Sequence, residues 1–116
     1  MRDEPLTVTA KSGLHEGTII LVLQGPLTLQ SSFDFQNDLA LHKPALLVLD
    51  LTESPYMDSA GLGLLMNYYV SAEKNGRKLL LAGANHRINA LLEMTKVNQI
   101  LKNYPTVADA EASVRA

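Results

Sequence analysis

Residues 45–51, "ALLVLDL", form an almost unbroken apolar run with no alternation of apolar and polar side chains. A strand with one wet face alternates, so a run of this kind belongs to a central strand covered on both faces. A second run, "TIILVLQG" at 18–25, and a third, "RKLLLAG" at 77–83, have the same character. Between them lie segments of helical character. The sequence therefore predicts an α/β fold built on a sheet with helices packed against it.

Read along the chain, residues 5–10 alternate at Leu6, Val8 and Ala10 and predict a half-buried strand. Lys11 to Gly17 forms a turn, and the strand ending at Gly25-Pro26 pairs with the first as an antiparallel hairpin. "SSFDFQNDLALHK" at 31–43 reads as a helix capped by Ser31 or Ser32, with Phe35, Leu39 and His42 at helical spacing, ended by Pro44. After the central strand, "TESPY" is a loop, and a helix runs from Ser59 to Asn75, stopped by Gly76. "NHRINALLEMT" is a third helix with Ile88, Leu91 and Leu92 inward. "QILKNY" is a short strand, and "PTVADAEASVRA" a last helix capped by Thr106. The order is ββαβαβαβα in one domain, residues 1–116, with a mixed, mostly parallel sheet of four to five strands and about four helices.

Function in such sheets lies beyond the carboxyl ends of the strands. There the sequence reads Asp58-Ser59-Ala60-Gly61-Leu62-Gly63. Glycine within a helix costs roughly 1 kcal/mol relative to alanine, and two in the first turn require a cause. Either another element packs close to that backbone, or a partner must reach the serine. Asp58 and Ser59 are both able to cap the helix. A phosphate on Ser59 would meet the free N–H groups of the first turn and the positive end of the helix dipole. At 100° per residue, Leu62, Leu65, Met66 and Tyr69 share the core stripe, whereas Leu64 and Tyr68 lie with Gly61 on another. Such a pair either covers a neighbouring element or offers a patch to a partner, and the patch is the reading adopted.

Other chemistries lack their residues. The chain has no cysteine, which excludes disulfides, thiol nucleophiles and cysteine-ligated zinc. His15, His42 and His86 form no i, i+4 pair, so no metal is expected. No Gly-x-Ser-x-Gly elbow, P-loop or dinucleotide fingerprint occurs, and no cofactor or enzymatic activity is expected; a hydrolase using Ser59 stands only as the comparator. A formal charge of −2 argues against direct nucleic-acid binding. The apolar runs are too short to insert in a membrane, and "MRDEPLTVTA" has no apolar signal region, so cytoplasm is the expected compartment.

"MDSAGLGLL" resembles the signature of STAS-domain proteins, in particular bacterial anti-sigma factor antagonists, in which Met-Asp-Ser-(Ser/Ala/Thr)-Gly-Leu-Gly follows the central strand. The likeness extends over essentially the whole chain, through "LVLQGPL", "LLVLDLTESPYMDSAGLGLL" and "GRKLLLAGANHRINALLEMTKVNQIL". It implies a phosphoacceptor at Ser59 and an anti-sigma factor serine kinase as the partner. The kinase is bound while Ser59 is free and lost on phosphorylation, and a PP2C-type phosphatase resets the switch. With the Leu64–Tyr68 patch read from helical spacing added, the expected contact residues are Leu27, Thr28, Asp58, Ser59, Ala60, Gly61, Leu64 and Tyr68, with the glycines giving the kinase access. Where the family carries Gly-Glu/Asp-Leu-Asp this chain has Gly25-Pro26-Leu27-Thr28, and Lys96 replaces a glycine common after the third helix. Thr28 reads as a turn or capping residue. The lost acidic turn keeps a second reading open, a STAS subunit of a lipid-transport ABC complex that docks on a permease without phosphorylation.

Overall fold

The computed structural model describes residues 5–114. Five strands form one sheet in the order β1-β2-β3-β4-β5: β1 (Thr7–Ser12), β2 (Thr18–Gln24), β3 (Leu46–Glu53), β4 (Lys78–Ala82) and β5 (Asn103–Tyr104). The β1–β2 pair is antiparallel and each later pair is parallel. The connecting helices are α1 (Leu29–Ala40), α2 (Ser59–Lys74) and α3 (His86–Met94), and α4 (Val107–Ser113) closes the described chain.

The continuous apolar runs have the expected cause. Leu47, Leu49 and Leu51 of β3 point into the larger core with Phe35 of α1, Leu65 of α2 and Ile88 of α3. Leu46 and Val48, one residue out of phase, enter a smaller core on the opposite face with Ala110 of α4. Each new parallel strand is added on the same side of the last. Crossovers of one hand therefore stack α1, α2 and α3 on one face, and α4 covers the other.

Element boundaries shift in places. The N-cap of α1 is Thr28, three residues before Ser31 and four before Ser32, and Ser31 sits inside the first turn, its Oγ accepting from the Thr28 N–H at 3.0 Å. The last strand shrinks to two residues, because Val97–Gln99 form a 3-10 turn. Ala10 is exposed rather than half-buried. Thr106 caps α4 as expected, accepting from the Asp109 N–H at 3.1 Å. The two final residues of the predicted helix lie outside the described residues.

Glu111 of α4 is 2% exposed, and its Oε1 accepts from the Leu14 N–H at 2.8 Å, tying α4 to the β1–β2 turn. Glu111→Ala is expected to cost about 1–2 kcal/mol by leaving that donor unpaired. Glu111→Gln, whose amide oxygen still accepts, should cost less. Urea-denaturation midpoints of the two variants check the order.

Candidate functional site

Two turns leave adjacent parallel strands side by side, and backbone bonds latch them together. From the β2–α1 turn, Leu27 N–H donates to the Tyr56 carbonyl at 3.1 Å, while the Leu27 carbonyl accepts from Asp58 N–H at 3.1 Å. One bond further back, Gly25 N–H donates to the Glu53 carbonyl at 3.1 Å and Ser54 Oγ donates to the Gly25 carbonyl at 2.8 Å. The latch sets the amino-terminal ends of α1 and α2 next to each other.

Asp58 sits at their junction. Its Oδ1 accepts from Gly61 N–H at 2.9 Å, the N-cap bond of α2, and its Oδ2 accepts from Leu29 N–H at 3.0 Å, the first residue of α1. A single carboxylate thus caps two helices. With capping done by Asp58, Ser59 becomes the first residue of α2 and is exposed.

The two glycines have different causes. Gly61 is buried, and a Cβ there would lie 2.5 Å from the Leu27 carbonyl oxygen and 2.8 Å from Leu27 Cγ. The close approach at Gly61 is internal, so this glycine does not open the serine to a partner. Leu27 itself is fully buried in the larger core. Its expected place on the contact surface is corrected: the side chain faces inward because the latch turns it onto α2. Gly63, one helical turn beyond Ser59, is exposed, and a Cβ there would meet nothing within 4 Å. Open space next to the serine belongs to Gly63. Thr28 is 9% exposed, and Ala60 is half-buried.

Leu64 and Tyr68 are half-buried and pack against the larger core. Tyr68 Oη donates to the His42 carbonyl at 3.0 Å and accepts from Arg77 Nη1 at 3.2 Å. Burial raises the Tyr68 phenol pKa, and the Arg77 charge and hydrogen bond oppose the shift. Leu64 and Tyr68 also line a groove between α1 and α2, together with Gln36, Leu39 and Ala40. Leu29 (69%), whose N–H bonds the Asp58 carboxylate, and Phe33 (71%), four residues further along α1, are exposed apolar side chains. Their spacing was a visible signal. It is missed when the helix starts at Ser31, because Leu29 then falls outside the periodic segment.

On the other side of Ser59, Asn85 Nδ2 donates to the Pro55 carbonyl at 2.9 Å, and the Arg87 guanidinium lies 4.5 Å from the Tyr56 ring centroid. Among the described residues no group of three or more His, Cys, Asp or Glu is placed to hold a metal ion. No helix among them is long and apolar enough to cross a membrane.

The family model of the STAS domain matches residues 11–110. The anti-sigma-B factor antagonist of Listeria monocytogenes is 37% identical over 54 residues, 47% of this chain and 47% of that protein. That match thus spans about half of the relative's length. The anti-sigma F factor antagonist of Paenibacillus polymyxa is 28% identical over 100 residues, covering 83% of this chain and 86% of that one. In three dimensions the chain superposes on the crystal structure of an anti-sigma factor antagonist from Mycobacterium paratuberculosis. The TM-score is 0.83 at 20% identity, with 99% of this chain and 100% of the other covered.

Proposed function

The chain belongs to the STAS domain family, and we propose that within it this protein is a non-enzymatic anti-sigma factor antagonist switched at Ser59. With Ser59 free, it binds an anti-sigma factor serine kinase and so releases a sigma factor for transcription. Phosphorylation of Ser59 by that kinase ends the binding, and a PP2C-type phosphatase restores it.

The observation that carries this reading is the exposed Ser59 at the entrance of α2, relieved of capping by Asp58 and flanked by the open space over Gly63. A phosphate there adds about −1.5 to −2 charges beside the Asp58 carboxylate. It would stand at the helix-end junction to which Leu29 is bonded, and Leu29 with Phe33 one turn further along α1 exposes apolar surface that suits a partner contact. Charge placed in such a contact is desolvated and repelled, so the partner leaves while the fold is kept. The contact surface proposed is Ser59, Ala60, Gly63, Leu29 and Phe33, bordered by Thr28. Asp58 acts by holding the two helix ends, and Leu27 and Gly61 act by packing beneath them.

The test is a pull-down from native lysate with wild-type and Ser59→Glu proteins side by side, followed by mass spectrometry. A serine kinase of ATPase fold is expected on the wild type and depleted by roughly tenfold or more on Ser59→Glu. Retention of a permease and a transport ATPase equally by both would overturn the switch in favour of a lipid-transport subunit.

A further inference from the structure

We propose that the groove between α1 and α2 is a binding site for a small organic anion with an apolar body, a single-ring or short-chain carboxylate. It stands independently of Ser59 and of any protein partner.

The groove is open to solvent and has a volume of about 210 Å³. Leu39 and Leu64 form its apolar floor, and Lys43 and Arg77 stand in its wall. No lining residue is acidic, in a chain whose formal charge is −2. The positive charge is therefore a local property of the groove. Drug-sized ligands fill pockets of roughly 300–1,000 Å³, so a ring or a short chain matches the volume of this groove.

Arg77 is held ready for an anion. Its Nη1 donates to Tyr68 Oη at 3.2 Å, and the guanidinium stands over the Tyr68 ring, 5.5 Å from the centroid. The phenol proton is already engaged by the His42 carbonyl, at 3.0 Å. Tyr68 therefore presents its lone pair to Arg77 and fixes the head group without neutralising it. Most guanidinium N–H donors remain for an incoming group, and their planar fork matches a carboxylate. Lys43 adds a second, more flexible charge. An apolar body on the Leu39–Leu64 floor and an anionic end at Arg77 satisfy both halves of the groove. A neutral ligand of the same shape would leave the cations without a partner, and a bare inorganic anion would leave the floor wet.

The experiment is a titration of the uniformly ¹⁵N-labelled full chain at constant ionic strength, using benzoate, hexanoate and the neutral benzyl alcohol as probes. The expected result is saturable amide shifts for the two acids, confined to residues such as Ala40, Asn67 and Ser71. Affinity should fall roughly tenfold in Arg77→Gln, and benzyl alcohol should bind more weakly than benzoate. Lys43→Gln, on an exposed position, should weaken binding in the same direction and guards against a folding defect in Arg77→Gln. Shifts that never saturate, shifts scattered over the surface, or equal binding of benzoate and benzyl alcohol would each overturn the site.

Discussion

Gly61→Ala is expected to lower the free energy of unfolding by roughly 1–2 kcal/mol, while Gly63→Ala raises it by roughly 0.5–1 kcal/mol. The two substitutions add the same methyl group to the same helix two residues apart. Both gain helix propensity, about 1 kcal/mol each. At Gly63 the methyl group enters open space, and the gain survives. At Gly61 it lands 2.5 Å from the Leu27 carbonyl oxygen, which is backbone and cannot rotate away. That oxygen also accepts the Asp58 N–H bond, so displacing it loosens the latch between the two turns. Overpacking of this sort costs about 1–3 kcal/mol, occasionally more, and outweighs the propensity gain. Urea midpoints with unchanged m-values would measure both effects. Equal signs would remove the packing account of Gly61. If Gly63→Ala is stabilised yet loses the partner found with the wild type, the open space there is a contact and not merely a tolerated gap.

The layered fold was legible because it rests on short-range pattern. Leu46 and Leu47, or Val48 and Leu49, announce in adjacent letters that both faces of β3 are covered, and the structure places them in two separate cores. The cap at Thr106 was legible for the same reason. What the sequence hid were contacts between segments distant along the chain. Gly61 meets Leu27, and Asp58 meets Leu29, across two turns that only the parallel β2–β3 pairing brings together. No local pattern announces either. The start of α1 was misplaced because Ser31 and Thr28 are both good caps, and the choice fell to the Thr28–Ser31 bond pattern. Leu29 and Phe33 were lost with it. Lys96 shows the converse. The resemblance marked a glycine as missing there, and the residue does adopt the left-handed region, with φ +62°, where a side chain costs roughly 1–2 kcal/mol.

Asp58 is the position where the fold meets the proposed switch, and Asp58→Ala should be among the most damaging single changes in the chain. Losing an N-cap costs about 0.5–2 kcal/mol, and losing a hydrogen bond to a charged group about 1.5–3 kcal/mol. The α2 cap on Gly61 N–H and the α1 bond to Leu29 N–H vanish together, so a loss of roughly 2–4 kcal/mol is expected. Asp58→Asn separates the two roles. One amide oxygen remains to cap α2, but the amide nitrogen cannot accept from Leu29, so about half of the loss should appear. The same variant removes the negative charge beside Ser59. If the Asp58 carboxylate opposes a charge on Ser59, the stability change caused by Ser59→Glu should be more favourable in the Asp58→Asn background than in the wild type, as measured by a double-mutant cycle on denaturation midpoints. A coupling energy of zero would mean that the Ser59 charge is solvated away from Asp58. Release of a partner would then depend on desolvation at Leu29 and Phe33 alone, and the aspartate would serve only to hold two helix ends.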